Sequence, residues 1–162
     1  KGYSMTGWRL GYAGGPEWLI RAMDVLQSQS TSNPSTIAQA ATIAALDGGL
    51  SFLDDWKETL LSRRACVLSA IAAIPGLSAL PTPGAFYVFA DCSGLFGRKT
   101  PEDAVLSSDL DVAGYLLESA HVGMVHGSAF GMPGHLRIAY AIDDGRLAEA
   151  LSRVAAALDR LV

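Results

Sequence analysis

Segments with apolar residues at the helical period alternate along this chain with short apolar runs, and that alternation predicts an α/β fold. Two features of composition support it. Half of the 162 residues are hydrophobic and only 17% are charged, so the chain has material for a core and is not a disordered polyelectrolyte. Seven prolines and seventeen glycines fall between the apolar runs rather than within one biased tract. At this length the expectation is one domain, with or without an appended piece.

The elements follow in order. Trp8 to Ala13 is apolar enough for a buried strand, ending at Gly14-Gly15-Pro16, where Pro16 suits the first turn of a helix running to about Ser30. Asn33 is read as the cap of a second helix with Pro34 at its first position, and Gly48-Gly49 as its stop. That helix is rich in alanine, which suits close packing against another element or subunit as well as a simple core. Ser51 with Asp54 opens a longer helix carrying Leu53, Trp56, Leu60, Val67, Ile71 and Ile74, stopped by Pro75-Gly76. Strands are expected around Leu77 to Leu80 and from Ala85 to Ala90, then a polar loop from Asp91 to about Ser108, read as the flexible insertion. A short helix from Asp109 to Ser119, an apolar run from Val122 to Val125, a glycine-rich turn and a strand from Leu136 to Ala141 follow. The chain closes on an amphipathic helix with Leu147, Leu151, Val154, Leu158 and Leu161 on its apolar face.

A net charge of −4 with no basic block argues against nucleic acid or an anionic membrane surface as a partner. Cys66 and Cys92 form neither a redox pair nor a zinc spacing and are read as reduced structural thiols. No run is long enough to span a membrane and no secretory leader is evident, so the expected compartment is cytoplasmic. The first residue is not methionine, which suggests a fragment, a processed chain or part of a longer one.

Three cations stand out. Lys1 and Arg9 are eight residues apart across a Ser/Thr/Gly turn, a layout that suits a carbonyl-trapping amine beside an anion clamp. A lysine condenses with an aldehyde only when unprotonated, which requires a desolvated or electropositive setting. The plainer alternative for Lys1 is a solvated terminal lysine. Arg9 lies in an apolar segment where an unpaired guanidinium is costly, so it needs an anionic partner: a bound anion, or a carboxylate in a structural salt bridge. Arg137 sits in Leu136-Arg137-Ile138-Ala139-Tyr140-Ala141, where alternation puts it on one face with Ala139 and Ala141. Two methyl groups beside a long cation leave room for a bound carboxylate held by a bidentate fork. His121, His126 and His135 have no metal spacing, and no metal site is expected. Ser128 sits in no nucleophile elbow.

The segment Lys1 to Tyr12, KGYSMTGWRLGY, closely resembles the cofactor-lysine segment of the class I and II aminotransferases, the fold-type I enzymes that use pyridoxal 5'-phosphate (PLP). Pro83-Gly84-Ala85-Phe86-Tyr87, Val125 to Gly131 and the strand around Arg137 resemble further family stretches, in family order. By this resemblance Lys1 is the Schiff-base lysine and proton carrier, and Arg9 binds the cofactor phosphate. Arg137 binds the substrate α-carboxylate, and Gly84 and Phe86 approach the substrate; a plain glycine turn into a core strand explains these last two equally well. His126 stands where the family usually has proline. Ser32-Asn33-Pro34 resembles a segment near the neighbouring subunit's active site, and Ser28 stands where one dicarboxylate-specific subgroup carries arginine. The implied fold is the C-terminal part of a PLP-dependent transferase, with residues 1–50 ending the large domain and residues 51–162 forming the linking helix and a small α+β domain. The implied activity is amino transfer between an amino acid and a 2-oxo acid, in a homodimer. A PLP-dependent β-elimination lyase and an aminotransferase-like effector domain of a transcription regulator remain as alternatives. In the family the ring-stacking residues and the aspartate on the pyridine nitrogen precede the lysine, so a polypeptide limited to these 162 residues is expected to be inactive.

Overall fold

Pro16 opens the first helix of the computed structural model, which describes residues 1–162 and divides them into two units, Lys1–Asp54 and Asp55–Val162. In the first unit, α1 spans Glu17–Ser30. The Pro16 carbonyl accepts from Leu19 N–H at 3.0 Å and Ile20 N–H at 3.1 Å, and Arg21 reaches back one turn to Glu17. Helix α2 spans Thr36–Asp47 and ends at Gly48. Its cap is Ser35 rather than the expected Asn33. Pro34 therefore lies outside the helix, where its carbonyl is held by the Gln39 side-chain amide at 2.9 Å.

The strand expected over Trp8 to Ala13 does not form. Thr6–Trp8 is a single 3-10 turn, and the chain then runs without regular structure to Pro16. A strand needs a neighbour to complete its hydrogen bonds, and all four strands of the structure belong to the other unit. An apolar run alone cannot supply that partner.

The second unit begins within α3, Leu53–Ala72, which buries Val67 and Ile71. Four short strands follow: β1 (Ser78–Ala79), β2 (Tyr87–Asp91), β3 (Val125–His126) and β4 (His135–Ala139). They form one antiparallel sheet in the order β1-β2-β4-β3. Helix α4 (Asp109–Ala120) precedes β3, and α5 (Asp144–Leu158) follows β4. Val88 and Ala90 of β2 and Leu136 and Ile138 of β4 are buried on one face of the sheet, as strand alternation requires. Against them pack Val67 and Ile71 of α3, Val112 and Leu116 of α4, and Leu147, Leu151, Val154 and Leu158 of α5. Each fully buried aliphatic side chain of this set contributes roughly 1.5–3 kcal/mol.

Polar groups fasten the layers. Ser108 caps α4 by accepting from Asp111 N–H at 3.2 Å, and Asp143 caps α5 by accepting from Gly145 and Arg146. Tyr115 Oη donates to the Ala157 carbonyl at 2.8 Å, tying α4 to α5. After α3, Gly76 turns the chain with φ +93° and packs so closely on Gly94 that a Cβ on Gly94 would stand 2.8 Å from the Gly76 Cα.

The Asp91 to Ser108 segment, expected as a flexible insertion, is built into the core instead. Leu95, Thr100 and Leu106 are buried. Gly97 N–H donates to Leu106 O at 2.8 Å, and Lys99 exchanges two backbone bonds with Val162. Its polar composition concealed two apolar anchors.

Candidate functional site

In the first unit a tight turn presents Lys1 and Arg9. Ser4, with φ +54°, donates its N–H to Lys1 O at 2.9 Å, and Trp8 N–H donates to Met5 O at 3.1 Å. Arg9 follows in a left-handed conformation, φ +52°, and its Nη1 donates to Thr6 O at 3.2 Å. A non-glycine residue held there costs about 1 kcal/mol or more, a price met in turns that aim a side chain. Lys1 and Arg9 line one cavity of about 600 Å³, together with Tyr3, Thr6, Tyr12 and Thr42. Ser4 and Gly7 face a different hollow, beside Ser35 and Ile37, so of Ser4, Thr6 and Gly7 only Thr6 shares the cavity with Arg9.

In the second unit Arg137 lies on β4 directly opposite Phe89 of β2 and Val125 of β3. Its face is the one the alternation predicts, since Leu136, Ile138 and Tyr140 are buried and Arg137 is not. The guanidinium carbon is 4.4 Å from the centre of the Phe130 ring and 5.3 Å from that of Tyr87. Phe130 in turn meets Phe89 edge to face at 5.8 Å. Two rings thus fix the side chain through cation–π contact, worth about 0.5–1 kcal/mol each at exposed sites, while leaving its five N–H donors unspent. Such a group is suited to a planar anion such as a carboxylate.

Phe130 belongs to a 3-10 turn, Gly127–Phe130, that a buried carboxylate holds in place. Asp109, the first residue of α4, is 3% exposed. It accepts from Ser128 N–H at 2.7 Å and from Ser128 Oγ at 2.8 Å. Burial pushes the Asp109 carboxyl up, but the Ser128 backbone and hydroxyl donors, its own N–H and the nearby His126 outweigh it and hold the group below its ordinary value. His126 Nδ1 lies 3.0 Å from Ser128 Oγ. Because the single hydroxyl proton is given to the carboxylate, His126 Nδ1 must be the donor in that contact. Gly127 is obligatory, since a Cβ there would collide with the Met132 carbonyl oxygen and stand 2.8 Å from His135 Cβ.

Gly84 is exposed in the loop before β2, with open space where a Cβ would be. Phe86 is half-buried against the core that contains Val88, Ile138 and Tyr140, and its carbonyl accepts from Tyr140 N–H at 2.9 Å. No group of three or more His, Cys, Asp or Glu side chains is placed to hold a metal ion. The residues that sequence reasoning passed over are Tyr87, Phe130, Asp109 and Ser128. Strand alternation could flag Tyr87, but nothing local ties Asp109 to Ser128, nineteen positions on.

The chain as a whole is similar to known proteins. The family model described as aminotransferase class I and II matches residues 1–154. The aspartate aminotransferase of Rhizobium meliloti (strain 1021) is 52% identical over 161 residues, 99% of this chain and 39% of that protein. The aspartate/prephenate aminotransferase of Cereibacter sphaeroides is 46% identical, over 96% of this chain and 39% of its own length. The crystal structure of the aspartate aminotransferase from Rhizobium meliloti superposes with a TM-score of 0.94 at 51% identity, covering 100% of this chain and 40% of that one. That of Thermus thermophilus with maleate gives 0.83 at 39% identity, covering 97% and 39%. The chain therefore spans about two-fifths of the length of the relatives it matches. With a family model matching residues 1–154, nearly its whole length, the chain belongs to the class I and II aminotransferases.

Proposed function

We propose that this chain is the C-terminal part of a PLP-dependent aminotransferase that moves an amino group between an L-amino acid and a 2-oxo acid. The observation that carries the reading is that Lys1 and Arg9 open onto one cavity, an amine and a guanidinium in the pairing that an aldehyde-phosphate cofactor requires. The donor set fits PLP: Arg9 and the Thr6 hydroxyl for the phosphate, the Lys1 amine for the aldehyde carbon. When bound, PLP supplies an electron sink that labilises bonds at the substrate α-carbon. Lys1 carries the cofactor and moves the proton at the α-carbon, Arg9 neutralises the phosphate, and Arg137 binds and orients the α-carboxylate. Gly84 and Phe86 contribute backbone and ring contact to the substrate side. The relatives named for aspartate make aspartate the first amino donor to assay.

Amino-acid substrates, a homodimeric assembly and a cytoplasmic location complete the proposal. The exposed apolar residues of the first unit, among them Trp18, Leu26 and Ile37, support a second copy as their cover. Both cysteines are free, which fits a reducing compartment. The test is Lys1→Ala in the full-length protein, read by visible absorption of bound PLP and by transfer from aspartate to 2-oxoglutarate. The expected result is loss of the cofactor's lysine-bound band and of transfer. A variant that keeps both, or a parent protein that releases pyruvate and ammonia instead of transferring the amino group, overturns the reading.

A further inference from the structure

We infer that Asp109 is a positioning residue for the substrate-binding arginine, acting through Ser128 and Phe130. This rests on the assignment of Arg137 to the α-carboxylate. Arg137 has no carboxylate partner of its own; what sets its direction is the pair of rings at 4.4 Å and 5.3 Å. Tyr87 is fixed by the sheet, because its strand pairs with β4 along five consecutive residues. The Phe130 ring meets Phe89 of β2 edge to face at 5.8 Å, but its backbone lies outside the strands. Phe130 is the last residue of a four-residue 3-10 turn, and the turn's side-chain anchor to the rest of the unit is Ser128 on Asp109.

Three features show that this anchor is built for position. The Asp109 carboxylate is buried, and both its oxygens face Ser128: Oδ2 accepts the backbone N–H at 2.7 Å, and the hydroxyl lies 2.8 Å from each oxygen. A buried carboxylate held by charge-assisted bonds resists displacement far more than a neutral pair does. Asp109 also sits at the N-terminus of α4, where the helix favours a negative charge, so it is fixed from its own side as well. Finally, Gly127 lets the turn lie directly against the Met132 and His135 backbone, which leaves Phe130 little freedom once Ser128 is bound. The chain of support runs from α4 to the turn, to the ring, to the guanidinium. His126 Nδ1 adds a second bond at Ser128 Oγ, so the hydroxyl gives one hydrogen bond to Asp109 and takes one from His126.

The experiment uses the full-length, PLP-loaded protein, with maleate affinity measured by calorimetry and the reaction of the cofactor with methylamine, which has no carboxylate, measured by absorbance. Asp109→Ala should weaken maleate about tenfold and leave methylamine unchanged, because only the carboxylate anchor is disturbed. Asp109→Asn, whose amide oxygen can still accept from Ser128 N–H while its amino group meets the hydroxyl, should recover to within about threefold of the parent. Ser128→Ala keeps the backbone bond and should weaken maleate about threefold, which tests the idea should Asp109→Ala fold poorly. Arg137→Ala is the control. If it abolishes maleate binding while Asp109→Ala and Ser128→Ala do not weaken it, the positioning role is wrong and the function stands. If Asp109→Ala impairs maleate and methylamine alike, its role is merely structural and the inference falls. If Arg137→Ala leaves maleate untouched, the carboxylate assignment itself fails.

Discussion

Replacing Gly127 with alanine tests how the turn beneath Arg137 is built. The added Cβ would overlap the Met132 carbonyl oxygen and come within 2.8 Å of His135 Cβ and 2.9 Å of His135 O. Two of those neighbours are backbone, and His135 begins β4, so they cannot rotate away. The turn must open instead. Overpacking of this kind costs about 1–3 kcal/mol. Opening also lengthens the 3.0 Å bond from Met132 N–H to Gly127 O and the 2.7 Å bond from Ser128 N–H to Asp109, together roughly a further 1–3 kcal/mol. A total of about 3 kcal/mol corresponds to hydrogen exchange at the β4 amides about a hundredfold faster. Gly114 is the opposite case: it lies inside α4 with nothing within 4 Å of its would-be Cβ. Gly114→Ala should stabilise by about 0.5–1 kcal/mol and slow the same exchange a few-fold. Unchanged β4 exchange in Gly127→Ala, or a shift of the same sign in both variants, would refute the steric reasoning.

The thiols should separate cleanly. Burial, with the fields of Asp109 and Asp91 adding to it, pushes the Cys92 thiol up to about 12, whereas Cys66 is exposed on α3. Titration with a thiol reagent at neutral pH should count one cysteine in the native second unit and two after unfolding; a native Cys92 that reacts as fast as Cys66 contradicts the packing. Acid should also destabilise this unit. Hydrogen bonds hold Asp91, Asp109 and Asp111 below the ordinary 3.8, against burial at Asp109. The folded state then binds fewer protons than the unfolded one, so this stability is present above about pH 4 and is lost as pH falls through the lowered values. Urea midpoints measured downward from pH 5 should decline, and Asp109→Asn should decline less steeply. An identical slope in the variant would remove Asp109 from the account.

How much was legible depended on the range of the interactions. Leu136, Ile138 and Tyr140 read correctly as one row, apart from Arg137, because alternation is a local geometric fact, and that row is the buried one. Leu147, Leu151, Val154 and Leu158 read correctly for the same reason in a helix. Trp8 to Ala13 misled because strand character was inferred from hydrophobicity without a pairing partner. The Asp91 to Ser108 loop misled because Leu95 and Leu106 are single anchors inside a polar stretch, with no period to betray them.

The residue order alone determined the family, since the segment Lys1 to Arg9 and the strand around Arg137 are contiguous motifs whose spacing survives without any fold. It also determined which way Arg137 faces. Only the tertiary structure decided what that arginine rests on. Tyr87 and Phe130 come from positions fifty before it and seven before it, and Asp109 reaches Phe130 through Ser128 across the gap between a helix start and a turn. Those contacts exist because an antiparallel sheet sets β2 beside β4 and packs α4 behind them. No local pattern encodes that adjacency, because it is a property of the packed layers rather than of any single segment.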